Sequence, residues 1–166
     1  MQDDHGVYRV HGTFTAAVSA TAAWRVLTDY EHIGEFVKAV RTSKQVEAPD
    51  GRRVLEQDAV AGTFPFRRTI RVHLSIREDA NRRIEFRDVL ARDFQRYVGA
   101  WTLDAGSDGT KVGYELEAEP LKKFPGFVGR AIMAHSARDL LNQVRAEMLH
   151  RVAIARAASD RAAAQP

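Results

Sequence analysis

The chain has 166 residues, 45% of them hydrophobic and 28% charged, which fits a single globular domain over residues 1–166. Its net charge of +3 permits attraction to anionic surfaces or nucleic acid but requires neither. The absence of cysteine excludes disulfides, thiol nucleophiles and cysteine-bound metals, and no apolar run approaches the roughly 20 residues of a membrane helix.

The N-terminal residues leave two cellular locations open. No apolar stretch follows Met1, so the sequence as written predicts a cytoplasmic protein. The abrupt polar start at residues 2–5 also fits a mature terminus from which an export signal has been removed. In that case we expect a periplasmic protein.

The N-terminal segment predicts one strand and two short helices. Apolar and polar residues alternate over residues 7–17, which indicates a half-buried strand. Ser19 is a suitable N-cap for a helix over residues 20–28, because its hydroxyl can accept from the free amides of the first turn. Asp29 can cap a second short helix that reaches Val37.

A sequence period of two predicts six further strands over residues 41–121, which makes seven in all. Turn signals separate these strands at residues 49–51, 62–65, 79–81 and 106–109. Strands joined by such short turns pair antiparallel. The sequence therefore predicts a seven-stranded antiparallel sheet.

Two predicted hairpins test the register of this sheet. Turning the chain at Ala80 and at Ser107 places apolar residues opposite apolar residues almost throughout, as a sheet with one buried face requires. The predicted partners are Ile76 with Ile84, Leu74 with Phe86, Val72 with Asp88 and Ile70 with Leu90 in the first hairpin, and Leu103 with Val112, Trp101 with Tyr114 and Gly99 with Leu116 in the second. One face of the sheet is therefore apolar and must be covered.

One long helix is predicted from Pro125 to about residue 158, and residues 157–166 are predicted to be a frayed tail. It is the only predicted helix long enough to cover the apolar face of the sheet. Because a twisted sheet cannot lie flat along one helix, space remains between them as the natural ligand site. The sequence thus predicts an α+β helix-grip fold.

Three segments carry a family resemblance. They are the run Ala-Trp-Arg-Val-Leu-Thr-Asp-Tyr at residues 23–30, continuing to Phe36, the strand Arg83-Ile84-Glu85-Phe86, and a late hairpin formed by residues 97–103 and 109–112. Over roughly residues 7–155 the chain resembles the START-related superfamily, which includes the pollen-allergen fold, aromatic polyketide cyclases and coenzyme-Q-binding proteins. The resemblance implies the helix-grip fold but no single chemistry, because the superfamily hosts lipid carriers, binding proteins and enzymes.

The residues expected to point into the space under the helix form the predicted ligand site. They are the aromatic residues Phe66, Phe86, Tyr97, Trp101 and Tyr114, the polar residues Gln57, Arg68 and Asp88, and, from the long helix, His135. Buried charges need a partner, water or a ligand. Two interpretations stay open: Arg68 and Asp88 form an ion pair at the mouth of a water-filled cavity, or they orient the polar head of a ligand.

No metal and no cofactor are predicted. The six histidines include no pair spaced i, i+4 and no His-Glu-x-x-His. There is also no Gly-x-Gly-x-x-Gly and no phosphate loop, so nucleotide binding is not indicated.

Two surface features bear on partners. Residues 62–66 carry two aromatic residues, and residues 122–127 carry two lysines and two aromatic residues, both near the expected pocket entrance. Basic residues beside exposed aromatic ones permit contact with an anionic membrane surface. The alternative is that Pro125 starts the long helix and Phe127 packs inward. The arginines of the middle strands alternate outward among acidic residues, which indicates a solvated sheet face and no nucleic-acid binding.

Three functions are predicted, in order of preference. The first is binding or transport of an apolar or amphipathic small molecule (a lipid, an isoprenoid quinone or an aromatic polyketide-like compound), because the aromatic inward face lacks a catalytic constellation. The second is a cyclase- or dehydratase-type enzyme in which Arg68, Asp88, Tyr97 or His135 moves protons. The third is an interaction module that offers a basic outer sheet face to an acidic partner.

Overall fold

The computed structural model describes residues 2–4, 6–47, 51, 53–62, 67–122 and 126–163, and over these ranges the chain forms eight strands and three helices. In chain order the elements are β1 (Gln2–Asp4), β2 (Val7–Ala16), α1 (Ala20–Leu27), α2 (Ile33–Phe36), β3 (Val40–Glu47), β4 (Arg53–Ala61), β5 (Arg68–Asp79), β6 (Arg83–Asp88), β7 (Phe94–Gly106), β8 (Gly109–Pro120) and α3 (Gly126–Ala163). Seven of these strands, β2 to β8, together with two short helices and a long C-terminal helix confirm the predicted helix-grip fold.

The eight strands form one antiparallel sheet in the order β1-β2-β8-β7-β6-β5-β4-β3. The additional strand, β1, lies at the edge and pairs with β2, with Gln2 opposite Arg9. Three residues are too few for an alternating pattern to be recognised, which is why the sequence does not predict it.

The two short helices begin differently from each other. The Ser19 hydroxyl accepts from the Ala22 amide at 3.2 Å and caps α1, as predicted. The prediction that Asp29 caps α2 is wrong, because α2 is a single turn that begins only after His32. The Asp29 carboxylate contacts His32 Nδ1 at 2.6 Å and accepts from Arg151 Nη1 at 2.7 Å, which ties the segment between α1 and α2 to α3.

The register of the second hairpin is confirmed, since Trp101 lies opposite Tyr114. The register of the first hairpin is wrong by two residues, because Ile76 lies opposite Phe86. The turn is centred on Asn81, which adopts a left-handed φ of 59° that asparagine tolerates better than most residues. A shift of two residues keeps every side chain on its predicted face.

The long helix α3 packs across β2. A Cβ on Gly129 would overlap the Tyr8 hydroxyl, and one on Gly12 would overlap Leu141, so helix and strand meet closely at both places. With 38 residues α3 is roughly 57 Å long at 1.5 Å per residue. Its last turns, residues 153–163, have exposed side chains, so the predicted tail is helical as far as the structure describes it.

The core lies between the sheet and the helices, in two clusters. One surrounds α1 and the C-terminal half of α3, where Val144 and Met148 are fully buried. The other, the central cluster, is built on the inner face of the sheet from Val10, Leu55, Val72, Leu74, Phe86, Phe94, Tyr114, Leu116, Ala118 and Ala137. Within the described ranges, no helix combines the length and apolarity needed to cross a membrane.

Candidate functional site

Five aromatic rings from three neighbouring strands meet in and around the central cluster. Phe86 comes from β6, Phe94, Tyr97 and Trp101 from β7, and Tyr114 from β8. The ring centroids are 4.7 Å apart for Phe94 and Tyr97, 4.5 Å for Trp101 and Tyr114, 6.0 Å for Phe86 and Tyr97, and 6.2 Å for Phe86 and Tyr114. The structure therefore brings together four of the predicted aromatic site residues and adds Phe94.

The rings meet because a glycine interrupts the inner face of β7. Gly99 lies between Tyr97 and Trp101 on that face, since side chains alternate along a strand. A Cβ at Gly99 would overlap the Phe86 ring and the Glu115 carbonyl oxygen. The Phe86 ring therefore occupies the space that a side chain at this position would take.

Two phenols within this group, Tyr97 and Tyr114, are hydrogen-bonded to each other. Burial raises the pKa of Tyr97 to about 12, although the hydrogen bond with Tyr114 lowers it. Burial also raises the pKa of Tyr114 well above its usual value. Both groups are therefore neutral phenols near pH 7, able to donate hydrogen bonds.

Asp88 faces the same region but is held by the main chain. Its Oδ1 accepts from the amides of His73 at 2.9 Å and Leu90 at 3.0 Å, and its Oδ2 accepts from the amide of Ala91 at 3.2 Å. These three N–H donors hold the carboxylate in place and fix the turn after β6. The predicted ion pair is wrong, because the carboxylate binds these amides and not the guanidinium of Arg68.

The other two polar residues of the strands also lie where the sequence placed them. Arg68 begins β5 on the inner face, and its Nη1 donates to the carbonyl oxygen of Lys122 at 2.9 Å, close to the start of α3. Gln57 lies opposite Val72, and its Nε2 donates to the hydroxyl of Ser43 at 3.1 Å. Both are half-buried, so each is partly reachable from the space under α3.

His135 does not face the sheet. It is 62% exposed, and its Nε2 lies 3.2 Å from Asp139 Oδ2 one turn further on. Ala137 is the α3 residue that packs into the central cluster here, and a position two residues away on a helix points roughly 200° around the axis. The prediction that His135 points inward is therefore wrong. Phe66, the remaining predicted site residue, lies outside the described residues.

One contributor to the site was missed by the sequence reasoning. Tyr30, between α1 and α2, donates its hydroxyl to Glu78 Oε1 at 2.6 Å and packs against the central cluster. Burial, and then this bond, raise the pKa of Tyr30. It borders a crevice of 240 Å³ whose floor includes Leu55 and Ile76. Tyr30 lies within the first of the segments that carry the family resemblance, and that position was the available signal.

A larger depression of 840 Å³ lies on the opposite, outer face of the sheet. Its walls include charged residues that form ion pairs, such as Arg9 of β2 with Glu117 of β8 at 3.0 Å, and Arg83 with Glu85 along β6 at 2.9 Å. Paired and exposed charges of this kind fit the solvated face that the alternation predicted. That this face serves as an interaction module stays a prediction.

The described residues hold no group of three or more histidine and carboxylate side chains placed to bind a metal ion. The chemistry open to the site is that of hydrogen-bond donors, namely Tyr97, Arg68 and Gln57, around aromatic surface. Such a set orients a polar atom of a ligand while the rings hold its apolar part.

Comparison with known proteins agrees with this geometry. The family model "Polyketide cyclase / dehydrase and lipid transport" matches residues 8–153. The chain belongs to this family. No curated protein matches the sequence significantly.

Solved structures share the fold at low sequence identity. A START superfamily protein of Mycobacterium smegmatis is 17% identical with a TM-score of 0.70, and the match covers 84% of this chain and 96% of that one. The Zhui aromatase/cyclase of Streptomyces sp. R1128 is 18% identical with a TM-score of 0.69, and the match covers 88% of this chain and 96% of that one. A STAR-related lipid transfer protein of Xanthomonas axonopodis is 19% identical with a TM-score of 0.62, and the match covers 89% of this chain and 96% of that one. The chain spans 52% of the di-domain aromatase/cyclase StfQ.

Proposed function

We propose that this protein binds, and carries, one amphipathic small molecule between the inner face of the sheet and α3. The observation that supports this most is the group of five aromatic rings bordered by polar side chains on the same face. Aromatic surface holds an apolar body, and the polar groups Arg68 and Gln57 hold an end group. The family and its lipid-transfer and aromatase/cyclase neighbours support a ligand of this general kind.

Binding in this space requires side chains to move. The crevice beside Tyr30 measures 240 Å³, below the roughly 300 Å³ at which ordinary ligand pockets begin. Tyr30 stands at its border and is held there by its bond to Glu78. We propose that this phenol moves when a ligand extends from the crevice along the inner face.

Binding of N-phenyl-1-naphthylamine, a neutral apolar dye, tests the proposal with a matched pair of variants. Ala137→Leu fills space between α3 and the sheet, whereas Ala153→Leu adds the same side chain on an exposed turn of the same helix. We expect saturable binding to the wild type, at least about fivefold weaker binding to Ala137→Leu, and unchanged binding to Ala153→Leu. Absence of saturable binding to the folded wild type would contradict the proposal.

The alternative function is a cyclase- or dehydratase-type enzyme. It is favoured by the hydrogen-bonded phenols Tyr97 and Tyr114 beside the Asp88 carboxylate, since such groups can move protons in a substrate held by the rings. His135 takes no part, because it faces solvent. Turnover of an aromatic polyketide-type substrate, lost in Tyr97→Phe or Asp88→Asn, would support this alternative. Failure to turn over any such substrate would count against it.

We also propose that one rim of the molecule contacts anionic membranes. This rim, the basic rim, consists of Arg67, Arg68, Val89, Arg92, Leu121 and Lys122. Val89 is 42% and Leu121 52% exposed, and the loops that carry them are joined by a bond from the Leu121 amide to the Asp93 carbonyl at 3.0 Å. Apolar side chains among cations suit an anionic lipid surface.

Co-sedimentation with vesicles of phosphatidylcholine, with and without phosphatidylglycerol, tests the basic rim. Arg92→Glu with Lys122→Glu is expected to lower binding to the anionic vesicles at least about fivefold, because each cation near such a surface contributes about 1 kcal/mol. Leu121→Ser should also weaken binding, while Ile154→Ser, which alters an equally exposed residue (54%) on α3, should not. Equal binding of all variants, or no preference for anionic vesicles, would refute membrane contact through this rim.

A further inference from the structure

One arginine of α3 holds the segment that connects α1 and α2, residues 28–32. The Arg151 guanidinium donates from Nη1 to Asp29 Oδ2 at 2.7 Å and from Nε to Glu147 Oε1 at 2.6 Å. Its Cζ also lies 5.6 Å from the centre of the Phe36 ring, within the range of a cation–π contact. Arg151 and Asp29 are both half-buried, so salt screens their attraction less than that of an exposed pair. The guanidinium therefore joins α3 to the connecting segment.

The same segment holds the phenol that borders the crevice. Tyr30 directly follows Asp29, but its hydroxyl donates to Glu78 of β5 at 2.6 Å. Adjacent residues are thus bonded to the helix and to the sheet, and their Cα atoms are only about 3.8 Å apart. A main-chain movement that carries Tyr30 away from the crevice therefore also pulls Asp29 away from Arg151.

Two nearby residues of α3 are bonded to other parts of the chain. Gln143 Oε1 accepts from the amide of Lys38 at 2.8 Å, beyond α2. Arg145 Nε donates to the carbonyl oxygen of Thr15 at 3.1 Å, near the end of β2. Neither bond reaches the connecting segment, so Arg145 offers a matched comparison with Arg151 on the same helix.

We propose that Arg151 is a positioning residue for the ligand site: by holding Asp29 it keeps Tyr30 in the position described above, the closed position, and so opposes binding. The proposal rests on the proposed function, since it requires a ligand that displaces Tyr30. Arg151 itself does not line the crevice, so it acts on the ligand only through the connecting segment.

The effect on binding follows from the populations of the two positions. When only a fraction of the molecules is competent to bind, the apparent affinity is reduced by that fraction. Loss of a contact that exists only in the closed position therefore raises both the affinity and the association rate. A residue that merely supported the fold would act in the opposite direction, because a loosened site binds its ligand more weakly.

Equilibrium titration and stopped-flow association of N-phenyl-1-naphthylamine test the proposal on Arg151→Met, which removes the charge and keeps an unbranched side chain. We expect about fivefold tighter binding and about fivefold faster association than in the wild type. Asp29→Asn, which removes the charge from the other side of the ion pair, should act in the same direction. Arg145→Met, the matched control, should leave both quantities unchanged.

Two double variants show where Arg151 acts. In a Tyr30→Ala background, Arg151→Met should give no further increase in affinity or rate, because the phenol that it positions is absent. Ala137→Leu combined with Arg151→Met should weaken binding again by at least about fivefold, as expected for dye beneath α3 and not on newly exposed surface.

Unchanged or weaker binding in Arg151→Met that is folded by circular dichroism, or an equal gain in Arg145→Met, overturns the proposal and leaves the proposed function standing. The same holds for a gain that persists undiminished in the Tyr30→Ala background or that Ala137→Leu does not reverse. If the dye does not bind saturably to the folded wild type, the proposed function fails, and this inference with it.

Discussion

Phe86→Ala is expected to lower the free energy of unfolding by about 3–5 kcal/mol, measured by urea denaturation. The ring is buried, packs against Tyr97 and Tyr114, and covers Gly99, which has no side chain to fill the space that would be left. Removal of the ring therefore loses contacts on several sides and creates a cavity that the rigid sheet cannot close.

Val89→Ala is the control for this measurement, because it shortens an apolar side chain that is 42% exposed and should cost less than about 0.5 kcal/mol. A loss of less than 1 kcal/mol in Phe86→Ala would mean that the five rings are loosely packed.

Gly99→Ala is the second substitution with a large expected effect, about 2–3 kcal/mol of destabilisation. Its Cβ would overlap both the ring of Phe86 and the carbonyl oxygen of Glu115. The carbonyl belongs to the hydrogen-bonded ladder between β7 and β8, so it cannot retreat without opening that ladder. The same substitution should also displace the Phe86 ring and weaken dye binding.

The matched substitution is Gly12→Ala on β2, where the Cβ would meet only the end of the Leu141 side chain. A terminal methyl group can rotate away, so we expect a cost below about 1 kcal/mol in thermal or urea unfolding. Equal losses of stability in Gly12→Ala and Gly99→Ala would contradict this explanation, in which contact with the backbone, and not crowding in general, requires glycine at position 99.

The faces of the sheet were predictable from the sequence because side chains alternate with a period of exactly two. The β7–β8 hairpin shows this fully, with Trp101 opposite Tyr114 as predicted. In the β5–β6 hairpin the turn was placed one residue early, which shifted every partner by two but left Phe86 and Asp88 on the inner face. Face assignment therefore tolerates errors in turn position that strand pairing does not.

The partners of the polar residues were not predictable in the same way. One of the two interpretations paired Asp88 with Arg68, but in the tight turn after β6 the amides of Leu90 and Ala91 bind its carboxylate instead. The bond from Tyr30 to Glu78 joins residues 48 apart in the chain, and no local pattern signals it. The orientation of His135 depends on the phase of α3, and one residue of error moves a side chain by 100° around the helix.

Native mass spectrometry of the protein purified from its own cells, compared with its mass after denaturation, tests the central claim most directly. We predict one small molecule per chain in the native spectrum, absent after denaturation, with an aromatic or aliphatic body and at least one oxygen. A native mass equal to that of the bare polypeptide, together with no saturable binding of apolar probes, would contradict the claim that the inner face is a ligand site.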